Sequence, residues 1–105
     1  MKTFRTLELA IQFHDQMSRL KIQGHLRNQL DRACSSIALN LAEGNARPTS
    51  RDKKRFYQIA YGSLKECQTI LRLAHVTDQE VSATADHLGA CLYKLVKADN
   101  PIIAI

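Results

Sequence analysis

The sequence predicts an all-α protein, an up-down-up-down antiparallel four-helix bundle. Three observations predict it. Apolar residues recur at spacings of three and four, with no sustained alternation of the strand type. Gly and Pro are scarce, four and two in 105 residues, and Gly24, Gly44, Pro48 and Pro101 fall at the ends of the periodic runs. The connections they mark are short, and short connections make consecutive helices antiparallel neighbours. A chain of 105 residues makes one domain, 1–105, with one modest core.

The first helix is expected over Phe4–Lys21, with Leu7, Ala10, Ile11, His14 and Met17 on its inner face and Phe13 and Leu20 widening it. Gly24 marks the break. The second is expected over His25–Glu43 with the stripe Leu26, Leu30, Ala33, Cys34, Ile37 and Leu41. Gly44 and Asn45, which tolerate a left-handed backbone, should stop it.

Thr49 is placed to cap the third helix, with Asp52 completing a capping box, and the helix should reach about His75. Phe56, Ala60, Ser63, Cys67, Ile70 and Ala74 keep the 4-3-4-3-4 spacing of a bundle seam. Thr77 and Glu80 predict the cap of the fourth helix, with Val76 and Val81 as its hydrophobic staple. Val81, Ala85, Leu88, Leu92 and Leu95 form its stripe, and Pro101 closes it. The segment after Pro101, Ile102-Ile103-Ala104-Ile105, is expected to fold back on its own bundle, to be disordered, or to dock on a neighbouring subunit.

Charge supplies the functional signal. The net charge is +5 and the pI about 9.4. Met1 to Arg72 holds thirteen basic and six acidic side chains, whereas the remainder holds two and four. A basic part joined to a mildly acidic one suits a polyanion partner or self-association. Arg47, Arg51, Lys53, Lys54 and Arg55 stand against Asp52 alone within nine residues. They flank the start of the third helix, whose free N–H groups and dipole add positive potential. Phosphates fit such a surface. With no base-reading constellation beside it, binding should be led by the backbone. Tyr57 and Tyr61 could present rings or form a packing ridge. The rival reading is a protein-interaction scaffold whose charge only steers partners.

Enzymatic readings find little support. Asn40 and Glu43 share a helix face, as do Ser63 and Glu66, and Gly62-Ser63 admits a close helix crossing. A polar layer in that crossing explains these residues better than Glu43 and Glu66 acting as acid and base, which needs a pocket. No Glu is followed three residues later by His, so the di-metal bundle signature is absent, and no metal or cofactor is expected. Arg19 and His25 resemble the Arg-x4-6-His motif of HEPN-type helical ribonucleases, but straddle a helix break at Gly24. Cys34, Cys67 and Cys91 form no CxxC pair and read as reduced thiols of a cytoplasmic protein. Residues 1–13, MKTFRTLELAIQF, lack the uninterrupted apolar run of a signal peptide, and no stretch is apolar enough to span a membrane.

The stretch from Gln29 to Ala74 resembles the bacterial four-helix-bundle family associated with intervening sequences of 23S rRNA genes. The resemblance rests on Gln29-Leu30, Arg32-Ala33, Ser36-Ile37, Asn40, Ala42-Glu43-Gly44, Arg47, Ser50, Arg55-Phe56, Ala60, Gly62-Ser63 and Glu66. It marks Arg32, Asn40, Glu43, Gly44, Gly62, Ser63 and Glu66 as structural motif positions. Lys53-Lys54 stand where the family usually has an acidic residue, which makes this surface more basic, and Leu41 replaces the usual Ile. The resemblance implies a small helical bundle that assembles as a cyclic homopentamer. A related protein, the accessory subunit of diversity-generating retroelements, forms a basic pentameric barrel that binds nucleic acid and a reverse transcriptase. The expectation for this chain is a non-enzymatic oligomer that binds RNA or DNA.

Overall fold

The computed structural model describes residues 4–98. They form four α-helices and no strand: α1 Arg5–Ser18, α2 Gly24–Asn45, α3 Ser50–Leu73 and α4 Gln79–Lys97. Among these residues no helix is long and apolar enough to cross a membrane. Pro101 and the Ile-rich segment after it lie outside the described residues.

The helices sit at the corners of a square, α1 against α2 and α4, and α3 against α2 and α4. α2 and α3 share the most extensive contact. Phe13, Met17, Leu30, Ile37, Leu41, Leu64, Leu88 and Leu92 are fully buried along the central axis. Burial of each such side chain contributes about 1.5–3 kcal/mol, which is what holds short polar-faced helices together.

Two helices turn differently from the expectation. In α1 the buried positions are Thr6, Ala10, Phe13 and Met17, while Ile11 and His14 are exposed. The apolar arc of α1 is broad, so periodicity leaves its rotation open, and the bulky Phe13 takes the axis. In α3 the buried seam is Tyr57, Ala60, Leu64, Cys67, Ile70 and Leu71, of which Ala60, Cys67 and Ile70 match the expectation. The expected Phe56, Ser63 and Ala74 are half-buried. Phe56 and Ser63 lie on the edge toward α2, where Ser63 bonds Ser36.

The helix ends follow local chemistry. Thr49 caps α3 as expected, its Oγ1 accepting from the Asp52 N–H at 3.2 Å. α4 is capped by Asp78 rather than Thr77. The Asp78 carboxylate accepts from the Val81 N–H at 3.1 Å, and a carboxylate complements the helix dipole better than a hydroxyl. This shift of one residue puts Val76 and Val81 out of staple register, although Val81 is buried.

α3 ends in a Schellman motif. The Val76 N–H donates to Leu71 O at 2.9 Å and the His75 N–H to Arg72 O at 3.1 Å. His75 holds the left-handed position at φ 58°, where a glycine is usual.

Gly44 does not terminate α2 by a left-handed turn. It lies buried within the helix, and the chain continues to a right-handed C-cap at Ala46. A Cβ at Gly44 would stand 2.8 Å from Tyr57 Cε1 and 3.1 Å from Phe56 Cβ. Gly44 is therefore the small residue that lets α3 approach α2. Gly62, expected at that crossing, is exposed with nothing within 4 Å of an added Cβ.

Candidate nucleic-acid interface

The close crossing at Gly44 sets the geometry of the basic cluster. It brings the first turns of α3 beside the last carbonyls of α2. Lys53 uses this proximity: its ammonium donates to Asn45 O at 2.9 Å and reaches Gly44 O at 3.4 Å. A cation at the negative end of α2 ties the two helices together.

Arg47 is also held within the chain. Its guanidinium pairs with Glu43 one turn earlier and lies 4.8 Å from the centre of the Phe56 ring. Arg55 approaches the same ring at 5.2 Å. Two guanidiniums and one carboxylate thus gather around Phe56 at the α2–α3 corner. Glu43 is the counter-ion of Arg47 here. Glu66 is exposed.

Arg51, Lys54 and Arg55, with Asp52 and Gln58, line an open groove of about 500 Å³ on the outer side of the first turns of α3. One carboxylate stands among three cations. A second groove of about 200 Å³ lies around the corner, where Ser50, Lys53, Lys54 and Tyr57 meet Leu95 and Ala98 of the α4 end. Lys54 borders both. Of the five cations expected to act together, Arg51, Lys54 and Arg55 line the open groove, Arg47 and Lys53 serve the α2–α3 junction, and Arg55 also touches that junction through Phe56.

The polar layer forms through a residue that sequence reasoning passed over. Ser36 receives a bond from Ser63 Oγ at 2.8 Å and one from Asn40 Nδ2 at 3.0 Å. Asn40 also donates to Ser36 O at 2.8 Å. Asn40 and Ser63 are joined through Ser36, which lies one turn before Asn40 and supplies both the hydroxyl and the carbonyl. Arg32 is exposed on the same helix.

Arg19, at the end of α1, pairs with Asp15 at 2.7 Å, and His25 is exposed in the first turn of α2. Cys34 and Cys67 are buried against each other between α2 and α3. Their mutual hydrogen bond, and then burial, push the Cys67 thiol well above its ordinary value. Burial raises the Tyr57 phenol in the same direction. Neither group is available as a nucleophile near neutral pH.

Tyr57 belongs to the core, and Tyr61 has a different partner. The Tyr61 and Tyr93 rings stand 6.3 Å apart at 54° across the α3–α4 seam. Lys65 lies 5.1 Å from the Tyr61 ring centre and Lys97 5.4 Å from that of Tyr93. The signal for this was the spacing Tyr-x3-Lys, present once on each helix.

The family of 23S rRNA-intervening sequence proteins matches the chain over residues 3–98. Among curated proteins none matches it.

Proposed function

We propose that this chain, which belongs to the 23S rRNA-intervening sequence protein family, is a non-enzymatic bundle that self-associates and binds the phosphate backbone of RNA or DNA. The observation that carries the reading is the groove at the start of α3. Arg51, Lys54 and Arg55 converge there around a helix N-terminus with one carboxylate among them. Guanidinium groups bind phosphate oxygens in pairs, and the adjoining helix dipole favours anions. Gln58 is the one uncharged amide in the groove and cations outnumber it three to one, so we read recognition as led by the backbone and weakly sequence-specific.

The topology we infer is up-down-up-down. Partners along α2 and α3 run in opposite order, Ser36 with Ser63 and Gly44 with Tyr57. Those along α3 and α4 do the same, Leu64 with Gly89 and Tyr61 with Tyr93. Self-association is supported by exposed apolar side chains, Leu39 at 68% and Ile59 at 47%, on α2 and α3. A ring, with five subunits as the family resemblance implies, would repeat the basic groove around one assembly. Individually weak phosphate contacts would then gain avidity. Three reduced cysteines suit a cytoplasmic setting.

The test is charge reversal. Arg51→Glu with Arg55→Glu should abolish binding of a fluorescein-labelled RNA hairpin at low salt. Arg47→Gln, which removes a guanidinium already paired inside the chain, should change it little. Binding unaffected by the double reversal would refute the groove as the site.

A further inference from the structure

We infer that the ledge formed by Tyr61 and Tyr93 across the α3–α4 seam is a stacking platform for unpaired bases of single-stranded nucleic acid. This rests on the phosphate-binding reading and goes beyond it. The basic groove alone would not distinguish a single strand from a duplex.

Four observations converge. Tyr93 is 51% exposed and Tyr61 half-buried, so the rings meet solvent while α3 and α4 fix their base. An exposed tyrosine pair is a large, rigid apolar surface with few rotamers to freeze on binding. Each ring carries an ammonium, Lys65 and Lys97, at 5.1 and 5.4 Å from the ring centres. The two rings stand side by side with a lysine flanking each, so bases stacked on the rings would have a cation near their phosphates on either side. The ring centres are 6.3 Å apart and the planes are inclined at 54°, so the pair offers two separate facets to a strand rather than one flat surface.

The fourth observation is continuity. Lys54, which borders the basic groove, lies seven residues before Tyr61 on α3. That is two helical turns on one face, about 10 Å of axial rise. Lys65 follows Tyr61 one turn later. A strand held by phosphates in the groove at Arg51 and Arg55 would pass along α3 and meet the ledge with its bases. The tyrosine ring recognises any base by its π-face, which keeps the site tolerant of sequence. A duplex keeps its bases inside and gains only the phosphate contacts.

The test uses the full chain with Tyr93→Ala and Tyr93→Phe against three probes, an oligouridylate, an oligothymidylate and a duplex of equal length. Tyr93→Ala should weaken both single strands by about 5- to 150-fold, the range for one lost base–aromatic stack, and leave the duplex unchanged. Tyr93→Phe should retain single-strand affinity. The chain has three Tyr and no Trp, and Tyr57 is buried, so the single strands should also quench tyrosine emission in the wild type. Equal loss for duplex and single strands, or no loss for either, would overturn the platform while leaving the basic groove standing. No binding of any probe by the wild type would overturn both.

Discussion

Gly44 and Gly62 offer one substitution in two environments. Gly→Ala should gain about 1 kcal/mol of helix propensity at Gly62, in the middle of α3, and at most that at Gly44, the penultimate residue of α2. At Gly62 the new Cβ enters open space, and the whole gain should appear as stability. At Gly44 it would meet Tyr57 Cε1 at 2.8 Å, Tyr57 Cδ1 at 3.0 Å and Phe56 Cβ at 3.1 Å. The Tyr57 ring is buried and the Phe56 Cβ belongs to the first turns of α3, so neither can swing away as a flexible chain end would. Overpacking of this kind costs about 1–3 kcal/mol. Gly44→Ala should therefore lie between neutral and about 3 kcal/mol destabilised. Subtracting one variant from the other removes most of the propensity and leaves mainly the steric cost. Urea unfolding followed by far-UV circular dichroism, at one protein concentration, measures both. For a domain of this size each kcal/mol moves Tm by about 4–8 °C, so thermal melts would separate the two as well. Equal stability of the two variants would refute the reasoning, because the close approach of α3 to α2 would then be no constraint. Destabilisation by Gly62→Ala would contradict the open space assigned to that face and would place another surface against it.

Other outcomes follow from the same structure. His75→Gly should stabilise the fold by about 1 kcal/mol in urea unfolding, because a left-handed β-carbon is costly where glycine is not. Ser36→Ala removes the hub between Asn40 and Ser63 and should cost about 0.5–1.5 kcal/mol per hydrogen bond lost, softened by water at this half-buried site. Stability should fall as pH rises above about 9. Cys67 and Tyr57 are raised in the fold, whereas in the unfolded chain they ionise from their ordinary values of 9.0 and 10.0. Their contribution is complete below those values and lost above them, as urea midpoints at stepped pH would report. A thiol reagent should modify the half-exposed Cys91 in the native protein, and Cys34 and Cys67 only after unfolding.

Much of the fold was legible in the sequence because long amphipathic helices bounded by Gly, Pro and short polar caps leave few alternatives. The Thr49 cap and the polar layer of Asn40 and Ser63 followed from local chemistry. What failed was rotation. In α1 and α3 the apolar arc is wider than the buried face, so Ile11 could not be told from Phe13, nor Phe56 from Tyr57, until the neighbouring helices were in place. The cap of α4 moved by one residue because Thr77 and Asp78 are both good N-caps, and the carboxylate won. The basic cluster was visible as composition, but its division was not. Lys53 and Arg47 turn inward because Gly44 brings the α2 carbonyls and Phe56 within their reach. That proximity joins residues of two helices, and spacing along one chain does not encode it. The Tyr61–Tyr93 ledge escaped for the same reason, since each half lies on a different helix.

The most direct test of the central claim is the salt dependence of nucleic-acid binding, measured by fluorescence anisotropy on nuclease-treated protein of defined size. If Arg51, Lys54 and Arg55 neutralise phosphates, log K should fall linearly with log salt. The slope should be about −2 for a single strand, and steeper if several subunits engage one molecule. Arg51→Glu with Arg55→Glu should flatten it. Absence of binding at low salt, or a slope that the double reversal leaves unchanged, would contradict the account.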